Sequence, residues 1–178
     1  DTDYERLGML IKWNPAIKTE QDKKGLLKAL LDDRIDIVTT DHAPHTLEEK
    51  QQPYFQSMSG APMVQHSLNC MLEFYKQDLI SLEKIVEKMC HNPAILYGMT
   101  KRGFIREGYF ADLTLVDLNS EWTVKKENLL YKCGWSPLEG TTFQTNITQT
   151  FVNGNLIYDN GVFEEGIFGM PIDFINKE

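Results

Sequence analysis

The sequence predicts an α/β fold over residues 1–98, followed by a β-rich region over residues 99–178. Near the N-terminus an apolar run, an amphipathic helix and a β-branched run follow each other with short connections. This order is that of a βαβ unit, and such units build parallel sheets. Helical periodicity then stops at Gly98. After it an Asn-Gly pair between two apolar runs indicates an antiparallel hairpin.

The first three elements form the predicted βαβ unit. Residues 9–14 (M-L-I-K-W-N) have the composition of a short strand. Thr19 and Asp22 resemble a helix capping box, with Asp in place of the usual Glu or Gln. Residues 35–40 (I-D-I-V-T-T) predict the second strand. The helix between the strands has a predicted buried face of Leu26, Leu27, Leu30 and Leu31.

Three further helices are predicted after a polar, irregular stretch over residues 41–62. Apolar spacing indicates a helix across residues 63–75. Ser81 is a suitable N-cap for the next helix, and Asn92-Pro93 begins a third that ends near Gly98. The predicted buried positions of the middle helix are Leu82, Ile85, Val86, Met89 and Cys90.

Short β-rich runs then replace the helical pattern. Strands are predicted over residues 112–117, 122–124 and 147–152. The pair Asn153-Gly154 is a two-residue turn signal that leads into a returning strand at 156–158. We expect the boundary between the two domains at residues 99–103, where helical periodicity gives way to glycines and short β-rich runs.

Composition excludes several classes of function. The 178 residues carry 18 basic and 26 acidic side chains, a net charge of −8, and no basic stripe that could neutralise nucleic-acid phosphates. No apolar run approaches the roughly 18 residues of a membrane helix. Three widely spaced cysteines argue against a secreted disulfide scaffold and for buried or half-buried thiols in a reducing cytoplasm.

The densest group of reactive side chains is residues 40–45 (T-D-H-A-P-H), directly after the second predicted strand. In parallel α/β folds, polar residues at the carboxyl end of a strand point into the site. Asp41 could bind a metal ion there and also accept a proton. The alternative is that Asp41 and His42 cap the following segment. With His45 included, the group is still too small for a complete metal site.

At this point the sequence resembles a known family. Residues 39–45, with Glu48-Glu49-Lys50 after them, resemble the second signature of the dihydroorotases, which belong to the amidohydrolase superfamily. Residues 12–18 (K-W-N-P-A-I-K) are similar to the family's K-x-N-P-P-L-R segment. Residues 103–113 resemble the entry into the superfamily's small β domain, and residues 136–140 the family's tail. The resemblance covers nearly the whole chain, in order.

The resemblance implies a zinc-dependent enzyme that interconverts N-carbamoyl-L-aspartate and dihydroorotate in pyrimidine synthesis. Asp41 matches a zinc ligand that is also the general acid and base. His45 matches a residue that holds the substrate carboxylate, and Asn14 matches another substrate contact. Ser59 and Gly60 lie where the family offers backbone groups to the substrate, although Ser59 replaces the usual Phe.

The resemblance also implies the fold. Residues 1–98 would be the last strands and helices of a TIM-like (β/α)₈ barrel, and residues 99–178 the C-terminal part of a small β-sandwich. The HxH pair of the superfamily's binuclear zinc site is absent from this sequence. We therefore expect a C-terminal portion that is inactive alone and needs the N-terminal part of the barrel as its partner.

Other candidate residues have simpler interpretations. His66 and His91 lie in predicted helices, where packing or surface exposure is expected. Trp13 and Trp135 are expected in the core or an interface. Residues 48–50 are most simply a solvated loop, and a mobile loop near the site could also gate it.

Two alternatives to a dihydroorotase remain open. One is a related cyclic amidohydrolase of the allantoinase or hydantoinase type. The other is a non-catalytic homologue that scaffolds a carbamoyltransferase. An HxH pair in the part of the protein that precedes this sequence would favour an enzyme over a scaffold. A homodimer is also compatible with the sequence.

Overall fold

The computed structural model describes residues 2–167 and 169–175, and these residues form an α/β structure. Its α-helices are α1 (Asp3–Leu7), α2 (Glu20–Leu31), α3 (Leu47–Lys50), α4 (Ser67–Lys76), α5 (Leu82–Val86) and α6 (Asn92–Tyr97). Short 3₁₀ turns cover Gly8–Ile11, Val64–His66 and Lys126–Asn128, and a π-helical turn covers Glu87–His91. The strands are β1 (Leu113–Asp117), β2 (Trp122–Thr123), β3 (Thr142–Phe143), β4 (Asn146–Val152), β5 (Asn155–Asp159) and β6 (Val162–Phe163).

The chain divides into two compact units. The first contains the chain up to Ile35 together with Thr39–Cys70 and Thr123–Thr142, and the second contains Asp36–Val38, Met71–Trp122 and the chain from Phe143 onward. Each unit has its own buried side chains. Those of the first include Ile11, Ala61, Val124 and Trp135, and those of the second include Met71, Leu72, Ile80 and Ile85.

Side-chain caps fix the starts of helices α2 and α5. Thr19 and Asp22 form the predicted reciprocal capping box at α2. Ser81 accepts a hydrogen bond from the backbone N–H of Lys84 and caps α5, also as predicted. These caps form because a hydroxyl or carboxylate satisfies N–H groups that have no partner within the first helical turn.

The second unit contains an antiparallel sheet in the order β1-β4-β5-β6. Asn153 and Gly154 connect β4 to β5 with φ angles of 52° and 82°. Two successive positive φ angles define the type I′ turn, whose twist matches that of the flanking strands. The predicted hairpin is confirmed.

The turn is fastened to the start of β1. The Asp112 carboxylate accepts a hydrogen bond from the Asn153 backbone N–H at 2.8 Å and forms an ion pair with Arg102. Arg102 also donates to the Asn153 side-chain oxygen at 2.9 Å. Asp112 therefore has a structural role in organising the hairpin.

Neither predicted strand of the βαβ unit is present as a strand. Gly8, with a φ of 51°, begins a 3₁₀ turn that ends at Ile11. Residues 36–40 are irregular, and the Val38 N–H donates to the Lys88 carbonyl at 3.1 Å. A strand requires a neighbouring ladder, and the described residues provide none alongside either run.

The predicted buried faces are also only partly correct. Leu30 of α2 is buried, whereas Leu26 is 62% exposed. Of the other two predicted positions, Leu27 is half-buried and Leu31 is 39% exposed. In the helix after Ser81, Ile85 is buried but Cys90 is exposed and Lys88 is buried instead. The π-helical turn over Glu87–His91 rotates the later residues away from the α-helical period on which the prediction relied.

No disulfide joins the three cysteines; Cys70 and Cys133 are half-buried as predicted, and Cys90 is exposed. In the part of the chain that the structure describes, every helix is too short or too polar to span a membrane.

Candidate active site

Asp41 is exposed and follows the irregular segment of residues 36–40. Its φ of 42° lies in the left-handed region. Asp adopts this region more readily than most residues, and left-handed residues other than glycine are enriched at functional sites. The local geometry therefore fits a residue presented for chemistry.

The segment that follows Asp41 pairs with the segment that contains Gly60. His42 and Ala61 form a parallel bridge, and the Ala43 N–H donates to the Ala61 carbonyl at 3.2 Å. A Cβ on Gly60 would lie 2.6 Å from the Ala43 Cβ and 2.7 Å from the Ala43 oxygen, and the φ of Gly60 is 126°. Only glycine allows this close approach.

A third segment joins these two. The Gly60 N–H donates to the Lys12 carbonyl at 2.9 Å, two residues before the exposed Asn14. The backbone segments that carry Asn14, Asp41, His45 and Ser59-Gly60 are therefore neighbours. The structure brings together the backbone of all the residues that the resemblance selects.

The His42 ring acts as a cap. Its Nδ1 accepts hydrogen bonds from the backbone N–H groups of Met63 at 3.1 Å and Val64 at 3.3 Å. This nitrogen is therefore used as a hydrogen-bond acceptor and is unavailable to a metal ion. Capping, the structural alternative for the Asp-His pair, is the observed role of His42.

His45 is fixed by contacts on both sides. Its side chain is 21% exposed, and its Nδ1 lies 3.6 Å from a Glu49 carboxylate oxygen. Its carbonyl oxygen accepts a hydrogen bond of 2.7 Å from the indole N–H of Trp135, which is buried as predicted. Glu49 also closes a capping box with Thr46 at the start of α3, and the Thr46 backbone N–H lowers the pKa of the Glu49 carboxyl.

An open cleft of about 650 Å³ lies beside His45 in the first unit. Its lining includes His42, Pro44, Glu49, Tyr131 and Lys132. Asp41 and Gly60 are not among the lining residues. The cleft therefore gives access to His45 but does not join it to the Asp41 carboxylate.

A buried hydrogen-bonded network includes Tyr131, which also lines the cleft. The Tyr131 hydroxyl accepts a hydrogen bond from the Gln65 backbone N–H at 3.0 Å and shares a second hydrogen bond, of 3.1 Å, with His66 Nδ1. Burial raises the pKa of Tyr131 to about 12 and lowers that of His66 to about 4. Both groups are neutral at pH 7, so His66 has the packing role expected of it.

His91, the other histidine expected to have a packing or surface role, stacks on Phe104 with ring centroids 4.3 Å apart.

Sequence reasoning missed the burial of Lys50. The solvated-loop interpretation of residues 48–50 is wrong for Lys50, whose side chain is fully buried (0% exposed). Burial and the nearby Lys12 ammonium lower the pKa of Lys50 to about 8. The pattern Thr46-x-x-Glu49 is a capping-box signal. It could have placed Lys50 in a helical turn, but nothing in the local sequence predicts its burial.

The described residues do not form a metal centre by themselves. Within residues 2–167 and 169–175, no three side chains of His, Cys, Asp or Glu are grouped so that they could hold a metal ion. Asp41 offers one carboxylate, and the remaining ligands of any metal would have to come from outside the described residues.

Comparison with known proteins gives consistent relatives. The chain is 34% identical over 170 residues to a dihydroorotase of Pyrococcus furiosus and 32% identical over 154 residues to one of Clostridium acetobutylicum. These matches cover 96% and 86% of this chain but 38% and 36% of the two relatives, so the chain spans well under half their length.

Solved structures agree with this result. The L-hydantoinase (dihydropyrimidinase) of Arthrobacter aurescens superimposes with a TM-score of 0.85 at 29% identity, over 92% of this chain and 37% of that one. The sequence pattern of the amidohydrolase family matches residues 16–157. The predicted resemblance to dihydroorotases is confirmed, and the chain belongs to the amidohydrolase family.

Proposed function

We propose that this chain is the C-terminal portion of a dihydroorotase, which interconverts dihydroorotate and N-carbamoyl-L-aspartate in pyrimidine synthesis. The observation that carries the proposal is the close pairing of Gly60 with the segment from Asp41 to His45. This pairing places the backbone that carries Asp41 and His45 beside that of Ser59-Gly60, in a chain whose relatives are named dihydroorotases. On this proposal residues 1–98 belong to a TIM-like barrel and residues 99–178 to a small β-sandwich.

The proposed reaction uses Asp41 as the proton carrier. In the hydrolytic direction water adds to a ring carbonyl, and the Asp41 carboxylate accepts the proton that the water loses. The ring C–N bond then breaks, and Asp41 delivers the proton to the leaving nitrogen. His45 and Asn14 bind the carboxylate and amide groups of the substrate, and the Ser59-Gly60 backbone binds its carbonyl groups.

Zinc enters the proposal as a cofactor of the intact protein. A bound zinc ion would polarise the ring carbonyl and lower the pKa of water towards 7. Asp41 would be one of its ligands. Since the described residues offer no group of three ligands, we expect the 178 residues alone to be inactive.

The first test replaces Asp41 by Asn in the intact protein that contains this chain. Turnover of carbamoyl aspartate and dihydroorotate should fall by about 10²- to 10⁴-fold, the usual contribution of a general acid and base. The fold should persist, because Asn also tolerates a positive φ. Circular dichroism, bound zinc and steady-state rates are measured together.

A matched control is Asp78→Asn, since Asp78 is also exposed and has a φ of 57°. This change should leave turnover unaltered. Wild-type rates in Asp41→Asn would contradict the role of Asp41. A wild-type protein that binds no zinc and turns over no cyclic amide would instead favour the carbamoyltransferase scaffold.

A hydantoinase is the second candidate, favoured by the structural similarity to the Arthrobacter aurescens L-hydantoinase. Hydantoin lacks the carboxylate that His45 is proposed to bind. Wild-type turnover of hydantoin in preference to dihydroorotate would therefore select this alternative.

A further inference from the structure

Lys50 is the last residue of α3, and its ammonium is completely enclosed. Enclosing an unpartnered charge is strongly unfavourable, so the group must be compensated by hydrogen bonds. Its Nζ donates to the carbonyl oxygens of Lys12 at 3.1 Å, Met58 at 2.9 Å and Gly60 at 2.8 Å. An ammonium has three N–H donors, and each one has a backbone acceptor here.

These bonds join separate segments of the chain. Lys12 precedes Asn14 by two residues, and Gly60 belongs to the pair that is proposed to bind substrate. Lys50 itself ends the helical turn that begins shortly after His45. One side chain thus connects all three segments that carry the proposed substrate contacts.

Neighbouring hydrogen bonds reinforce the connection. The Gly60 N–H donates to the same Lys12 carbonyl at 2.9 Å, and the Ser57 hydroxyl donates to the Lys50 carbonyl at 2.8 Å. The Lys12 ammonium also contacts this loop: it donates to the Tyr54 and Ser57 carbonyls and lies 4.5 Å from the centre of the Tyr54 ring. The loop between Lys50 and Gly60 is therefore anchored by two ammonium groups.

We infer that Lys50 is a positioning residue of the proposed substrate site, because its ammonium sets the relative placement of the backbone segments that carry Asn14, His45 and Ser59-Gly60. The inference rests on the proposed function, in which those residues contact substrate. Lys50 itself has no donor left for a ligand and acts through these segments. With a pKa of about 8 the group retains its third proton at pH 7.

The consequence is a specific kinetic effect. Loss of the ammonium leaves three buried carbonyls without a donor and lets the segments separate, whereas Asp41 lies outside this set of hydrogen bonds. Substrate binding should therefore suffer more than the proton transfer at Asp41. A displacement of about 1 Å at an active site can lower kcat/KM by about 10²-fold.

The test uses Lys50→Met in the intact protein, with dihydroorotate as substrate. KM should rise by about 10- to 100-fold while kcat falls by less than about threefold. Hydrogen exchange of the backbone amides of residues 58–61 is followed by mass spectrometry. It should become faster, because the Gly60 N–H bond to Lys12 loses its support.

Two further variants separate positioning from general stability. Lys88→Met removes another buried ammonium, 1% exposed and in the second unit. It should lower the melting temperature without changing KM or the exchange of residues 58–61. If Lys50→Met does not fold, Lys50→Gln, which keeps two N–H donors, provides the same comparison with a smaller rise in KM.

Each outcome decides the inference. Unchanged exchange at residues 58–61, or a loss in kcat with an unaltered KM, overturns the positioning role. A wild-type protein that turns over neither dihydroorotate nor carbamoyl aspartate overturns the proposed function instead. Faster exchange in Lys50→Met but not in Lys88→Met would then still support Lys50 as the residue that aligns the three segments.

Discussion

His66 shows how one buried residue makes the stability of this protein depend on pH. Its side chain is 0% exposed, and burial lowers its pKa from 6.5 to about 4. The unfolded chain therefore binds a proton between these values that the folded protein does not. The stabilising contribution of this difference is complete above pH 6.5 and is lost as the pH falls through about 4.

We expect this residue alone to lower the free energy of unfolding by roughly 3 kcal/mol across that window. Urea denaturation at several pH values measures the effect, and the comparison with His66→Gln isolates it from the titration of carboxylates. The pH dependence should be flatter in His66→Gln. His91→Gln is the control, because that ring stacks on Phe104 and is not fully buried. Equal pH profiles for wild type and His66→Gln would contradict the prediction.

At the scale of elements, the close contact between the Gly60 segment and the segment after Asp41 depends on one missing Cβ. In Gly60→Ala that atom would collide with the backbone oxygen of Ala43 at 2.7 Å, at a φ of 126° that alanine avoids. We expect a loss of roughly 1–3 kcal/mol in the free energy of unfolding. Chemical denaturation measures it.

Gly25→Ala is the matched substitution for this test. Gly25 lies inside α2, and a Cβ there would meet nothing within 4 Å. Alanine at this position should stabilise the protein by roughly 0.5–1 kcal/mol, because glycine is a poor helix former. If both substitutions changed the free energy of unfolding in the same direction, the effect of Gly60→Ala would not arise from the contact with Ala43.

The elements that could be predicted from the sequence are those encoded locally. The Thr19 capping box, the Ser81 cap and the Asn153-Gly154 turn each depend on residues within four positions, and all three were confirmed. The strands expected at residues 9–14 and 35–40 require partners distant in sequence, which a local pattern cannot reveal.

The same distinction applies to the candidate site. Asp41 could be named from its position after an apolar run, whereas the roles of His45 and Gly60 come only from the family resemblance; their backbone segments are neighbours in the structure. The burial of Lys50 could not be foreseen. A lysine beside two glutamates is normally exposed, and its three acceptors come from residues 12, 58 and 60.

At the scale of the whole molecule, the exposed apolar side chains need an explanation. Phe55 is 97% exposed, Ile105 89%, Ile95 66% and Leu26 62%. Where exposed apolar side chains are contiguous, they mark interfaces in folded proteins. The chain spans 38% of the Pyrococcus furiosus dihydroorotase, and the proposed function assigns it to a longer barrel enzyme. The simplest explanation is that the rest of that enzyme covers these side chains in each unit.

We therefore expect the 178-residue chain, produced alone, to bind a hydrophobic dye such as ANS and to form assemblies larger than a dimer, whereas the intact protein does neither. Sedimentation velocity and dye fluorescence at equal concentration measure both properties. Phe55→Ser with Ile105→Thr should reduce dye binding and association of the isolated chain, because these substitutions remove two of the most exposed apolar groups. A monomeric isolated chain that does not bind the dye would mean that no other segment is needed to cover these side chains. The assignment of the chain to a larger barrel would then lose its support from the surface, whatever the outcome of the substitutions at Asp41.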